Sequence, residues 1–106
     1  MRIVVLGTYG LGAALATHLH LAHIQRVEEV SSDGFVLDGA PRDLAEARAL
    51  DALLRGRAAE VDAVLVVGPA ASEVLDHYLG RVLELDPDAS TFEDALDGLR
   101  EVLLAA

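Results

Sequence analysis

An α/β fold is predicted for this chain: a three-layer α/β/α sandwich built on a parallel sheet of about four strands. Three observations carry the prediction. Continuous apolar runs of strand length alternate with longer segments of helical period. The runs contain almost nothing polar, as strands buried on both faces do. Their order reads βαβαβαβα, which right-handed crossovers turn into helices on both sides of one sheet. With 106 residues and 53% apolar content, one core over residues 1–106 is expected.

The elements follow in order. Residues 3–6, Ile-Val-Val-Leu, read as the first strand. A helix is expected from Gly10 or Leu11 to about Ile24, with Leu11, Leu15 and Leu19 on one stripe. Residues 25–33 are ambiguous: Val27 and Val30 fit a continued helix, while Ser31-Ser32-Asp33-Gly34 is a turn. Phe35-Val36-Leu37 is the second strand, closed by Asp38-Gly39. Asp43, with Glu46 three residues later, starts a helix whose stripe is Leu44, Ala47, Leu50 and Leu54.

Residues 61–67 form the third strand, apolar enough for the sheet centre, and a helix is expected over about 71–79. A short fourth strand at 82–85 is stopped by Asp86-Pro87-Asp88. The last helix starts at Ser90 or Thr91 and presents Phe92, Leu96, Leu99 and Leu103 at helical spacing. No internal repeat or low-complexity linker interrupts the pattern.

Charge removes several function classes. Eight arginines stand against 18 acidic residues, a formal charge of -10, which leaves no basic face for nucleic acid and disfavours acidic membranes. Without cysteine there is no disulfide framework, thiolate nucleophile or cysteine zinc site. The opening apolar run is too short for a membrane span and carries no cleavage-site pattern, so a cytoplasmic location is expected.

Behind the first strand, Gly7, Gly10 and Gly12 outline a phosphate-binding loop. A loop of the type G-x-x-x-x-G-K-[ST] uses its lysine on the terminal phosphates and its hydroxyl on magnesium. Gly7 and Gly12 keep that spacing, but Ala13 and Ala14 follow, and the whole chain contains no lysine. The same glycines fit a dinucleotide-binding turn. That scheme has no place for Leu37-Asp38-Gly39-Ala40-Pro41-Arg42, and no second strand ending in an acidic ribose ligand is clear.

Residues 34–47, Gly-Phe-Val-Leu-Asp-Gly-Ala-Pro-Arg-Asp-Leu-Ala-Glu-Ala, resemble the "GF-(I/L/V)-LDG-(F/Y)-PR" signature of adenylate kinases and the helix behind it. The start of the chain is similar to that family's phosphate loop, Val61-Asp62-Ala63-Val64 to its next core strand, and residues 85–104 to its terminal strand, turn and helix. The resemblance implies a P-loop NTPase-like core and covers nearly the whole chain. It implies further that Gly7, Gly10 and Gly12 shape an anion-binding turn, that Asp38 holds magnesium through water, and that Arg42 contacts an acceptor phosphate. Against the family pattern, Ala13 stands at the lysine, Ala14 at the following glycine and Leu15 at the hydroxyl residue. Arg81 is a weak match to the first arginine of the lid.

Two inserts of that family are expected to be missing. Only about ten residues, 24–33, span the place of the AMP-binding arm, and Gly80-Arg81-Val82 runs straight into the last strand where the ATP lid would lie. Phosphoryl transfer rests on positioned positive charge, and a single arginine finger is worth roughly 10³–10⁵ in rate. Loss of the lysine, the lid arginines and most of the acceptor site is therefore expected to remove activity, leaving no cofactor beyond weak nucleotide or phosphate binding at a helix start.

The site residues also have structural readings. Asp38 fits a turn with Gly39, and Arg42 fits an ion pair with Asp43 or Glu46. His18, His20 and His23 are close in sequence, but on a helix only His20 and His23 share a face, so solvated or interface roles are expected rather than metal binding. Asp86, Asp88, Glu93, Asp94 and Asp97 read as helix-start and surface charges, not as a calcium loop.

A core stripped of an arm and a lid exposes the carboxyl ends of its strands, and the mean hydropathy of +0.38 is high for a small monomer. A homo-oligomer or a protein partner covering that edge is expected. The leading expectation is a noncatalytic core acting as an interaction or regulatory subunit. The alternatives are a minimal nucleotide-dependent phosphotransferase, an enzyme with altered chemistry at Asp38 and Arg42, and an engineered minimal scaffold.

Overall fold

Alternate residues of a strand point to opposite faces, and in this chain that period of two divides the core into two halves. The computed structural model describes residues 1–7, 11–31, 33–57, 59–68, 70–85 and 92–105. Their order is β1 (Arg2–Leu6), α1 (Leu11–Leu19), β2 (Ala22–Ile24), a 3₁₀ turn (Val27–Glu29), β3 (Phe35–Asp38), α2 (Leu44–Arg55), β4 (Ala63–Val67), α3 (Ser72–His77), β5 (Val82–Leu85) and α4 (Phe92–Ala105). The five strands are parallel in the order β2-β3-β1-β4-β5.

On one face, Val4, Leu6, Leu37, Val64 and Val66 pack with Ala47, Leu50 and Leu54 of α2 and with Val74 of α3. On the other, Ile3, Val5, Val36 and Leu65 pack with Leu15 and Ala16 of α1 and Leu99 of α4. The three-layer α/β/α arrangement is therefore observed, with helices on both sides of the sheet. β3, β1 and β4 are buried along their lengths, which is why their apolar runs are continuous rather than alternating.

The sheet has five strands among the described residues, not about four, because the expected first helix is two elements. α1 stops at Leu19, where His20 takes a left-handed φ of 57° and Leu21 N–H donates to the Ala16 carbonyl at 2.9 Å. Ala22, His23 and Ile24 then pair with Phe35, Val36 and Leu37. Edge pairing against β3 overrides the helical pattern that runs through Ala22 and Ile24. The ambiguous stretch resolves into the 3₁₀ turn, with Val27 and Val30 both buried.

Other boundaries shift slightly. β4 begins at Ala63; Asp62, just before it, donates its N–H to the Arg2 carbonyl at 2.8 Å while its side chain accepts the Arg2 N–H at 2.7 Å. α2 starts as expected, Asp43 accepting the Glu46 N–H at 2.9 Å as its cap. α3 is six residues, shorter than expected. The turn at 86–88 and the cap at Ser90 or Thr91 lie outside the described residues. No helix among the described residues is long and apolar enough to cross a membrane.

At the amino edge of the sheet a polar cluster ties α3 to α2. Asp51 pairs with His77 Nε2 and accepts from the hydroxyl of fully buried Tyr78 at 3.4 Å. Burial, and then the Asp51 carboxylate, push the Tyr78 phenol well above its ordinary range. Arg81 lies 5.3 Å from the centre of the Tyr78 ring and donates to the Val61 carbonyl at 2.8 Å.

Candidate anion site at the carboxyl edge of the sheet

β1 lies at the centre of the sheet, with β3 on one side and β4 on the other, so the strand order reverses around it. In such sheets the carboxyl ends of the strands at the reversal border a crevice for ligands. Here those ends deliver Gly7, Asp38 and Gly39, together with Gly68.

Gly7 has φ 129°, and a Cβ there would meet the Val67 carbonyl oxygen at 2.3 Å, so only glycine fits. The chain then enters α1, and Gly12 lies in its first turn. A Cβ on Gly12 would lie 2.6 Å from both Cγ and Oδ2 of Asp38. The Asp38 carboxylate therefore rests directly against the start of α1. Gly10, the third glycine of the expected loop, lies outside the described residues.

Asp38 is held from the other side by β2. Its Oδ2 is 3.0 Å from His23 Nε2, an ion pair when the imidazole is protonated, with the two side chains 20% and 33% exposed. Asp38 is thus not a free carboxylate: among the described residues its hydrogen-bond partner is His23. His23 is the site residue that sequence reading missed. Read as helical, it shared a face with His20; in the structure His20 ends α1 and His23 belongs to a strand. The only signal was a three-residue run, too short to outweigh the alanine-rich stripe before it.

Past Asp38, the Gly39 N–H donates to the Val5 carbonyl at 2.9 Å, extending the ladder by one residue. Ala40 and Pro41, joined by a cis peptide bond, are buried, and Arg42 emerges exposed. Arg42 and Gly7 line one hollow of about 200 Å³ with Gly39, Pro41, Ala70 and Ala71. Among the described lining residues, Arg42 is the one charged group. The expected pairing of Arg42 with Asp43 or Glu46 is not observed among the described residues, and Asp43 is spent on the helix cap.

The five expected site residues therefore fall into two neighbouring pairs, Gly7 with Arg42 and Gly12 with Asp38, with Gly10 not described. Ala13 and Ala14 are exposed on α1 and contribute neither charge nor hydroxyl. Arg81 precedes β5 at the amino edge, so it does not stand at this site as a lid arginine. Chemically, the crevice offers one guanidinium for a small oxyanion and a carboxylate already engaged by an imidazole.

No family model matches the chain. Among curated proteins, the chain is 43% identical over 56 residues to the adenylate kinase of Mycobacterium leprae, covering 53% of this chain and 31% of that protein. The adenylate kinase of Azorhizobium caulinodans is 43% identical over 51 residues, 48% of this chain and 26% of its own length. That of Phenylobacterium zucineum is 35% identical over 77 residues, 69% of this chain and 40% of its own length. The chain is therefore related to adenylate kinases over about half of its length and has an adenylate-kinase-like α/β core. The matched stretches span between 26% and 40% of these relatives.

Proposed function

We propose that this chain is a noncatalytic adenylate-kinase-like core that works as an interaction or regulatory subunit, with at most a weak nucleotide or phosphate site at Gly7, Gly10, Gly12, Asp38 and Arg42. One observation carries the reading: the chain has no lysine, and Arg42 is the one cation among the described residues of the Gly7 hollow. A migrating phosphoryl group needs positive charge on several oxygens at once, and a single guanidinium leaves most of that charge unbalanced.

Two further features support it. Asp38, the residue that the resemblance assigns to magnesium, is paired with His23 and packed on Gly12. Ten residues, 25–34, separate β2 from β3, with the 3₁₀ turn the one helical element among those described, and residues 78–81 join α3 to β5, leaving little room for an acceptor arm or a lid. On this reading the open carboxyl edge is covered by a second copy of the chain or by a partner protein.

Calorimetric titration with ATP, ADP, AMP and a bisubstrate dinucleoside polyphosphate, with and without magnesium, tests the proposal. Heats that stay weak and unchanged by magnesium support it. Micromolar, magnesium-dependent binding of the bisubstrate compound overturns it in favour of a phosphotransferase.

A further inference from the structure

We propose that a second hollow, on the other side of Arg42, is a binding site for small amphoteric molecules that carry an anionic group and an ammonium group together. This hollow of about 310 Å³ lies between the segment after β2 and α2. Its charged lining is Arg26, Glu28, Arg42 and Glu46, with Gln25 beside them. The volume is at the lower end of the range for small-molecule sites.

The backbone fixes where these groups start. Glu29 N–H donates to the Arg26 carbonyl at 3.0 Å, closing the 3₁₀ turn that carries Arg26 and Glu28. Buried Ala40 and Pro41 set the origin of Arg42, and the Asp43 cap fixes the first turn of α2 that carries Glu46.

Charge balance selects the ligand class. The chain holds 18 acids against 8 arginines, yet this hollow holds two of each and is locally neutral. Exposed opposite charges gain little by closing onto one another. Among the described residues none of these four does so. A dianion alone would sit on the arginines and face two carboxylates, while a cation alone would face two guanidiniums. A molecule with both groups meets each pair with its complement, the forked guanidiniums taking the oxyanion and the carboxylates taking the ammonium.

The two hollows share Arg42, but Arg26, Glu28 and Glu46 line only this one, so effects at those three residues separate this inference from the reading of the Gly7 hollow. Amide-resolved NMR titration with O-phosphoethanolamine, inorganic phosphate, ethanolamine and AMP tests it. The expected result is saturable shifts at Arg26, Glu28 and Glu46 with O-phosphoethanolamine, at an affinity at least about tenfold tighter than for phosphate, ethanolamine or AMP. Arg26→Ala and Glu46→Gln are each expected to weaken that binding about fivefold or more, with the remaining spectrum unchanged. Three results overturn the proposal: no saturation by about 20 mM O-phosphoethanolamine, equal or tighter binding of phosphate or AMP read at Arg26, Glu28 and Glu46, or binding indifferent to both substitutions.

Discussion

His23 Nε2 stands 3.0 Å from Asp38 Oδ2, joining the edge strand β2 to the carboxyl end of β3, and the same carboxylate lies against Gly12 of α1. The pair is partly exposed, so its worth is that of a screened contact. A double-mutant cycle of His23→Ala and Asp38→Ala in urea is expected to give a coupling of about 0.5–1 kcal/mol, smaller in high salt. Additive single effects would show that the contact does not form in solution.

Gly12 and Asp38 exclude each other's side-chain volume. Gly12→Ala is expected to cost about 1–3 kcal/mol, because the new methyl meets backbone-anchored atoms of Asp38. In an Asp38→Gly background those atoms are gone, and the helical preference for alanine over glycine, about 0.5–1 kcal/mol, remains. The sign of the Gly12→Ala effect should therefore reverse between the two backgrounds, as read from denaturant midpoints.

Tyr78 makes the fold sensitive to alkali. Its phenol titrates higher in the folded chain than in the unfolded one, where the value is about 10. A group raised in this way contributes stability that is complete below the unfolded value and is lost as pH rises through the folded value. In a Tyr9→Phe background, urea midpoints are expected to fall from pH ~9 to ~11. Tyr78→Phe should flatten that decline at a cost of about 1 kcal/mol or less at neutral pH. An equal alkaline decline in both proteins would contradict the assignment.

Most of the architecture was legible because burial writes itself into composition. β1, β3 and β4 are covered on both faces, so Ile3 to Leu6, Phe35 to Leu37 and Ala63 to Val67 read as unbroken apolar runs. β2 was not legible: its identity depends on a ladder to β3 rather than on its own three residues, two of which are exposed. At the site, the glycine spacing and the Asp38-Gly39 turn located the carboxyl edge. The His23 contact could not be read, since it follows from β2 being a strand. The placement of Arg81 also needed the sheet, because only strand direction assigns it to the amino edge.

If the chain works as an interaction subunit, association is an expected outcome. Sedimentation velocity at tens of micromolar should report a mass above the 11.2 kDa of one chain, or a partner should co-purify in stoichiometric amount. A clean monomer with no partner would argue against an interaction role.

The one guanidinium among the described residues of the Gly7 hollow is too little charge for phosphoryl transfer, and a turnover assay tests this. Purified chain should be incubated with magnesium and ADP, with ATP and AMP followed by chromatography and Arg42→Ala as the matched control. No turnover above the control is expected. Interconversion at about 1–100 s⁻¹, the range of ordinary kinases, would contradict it.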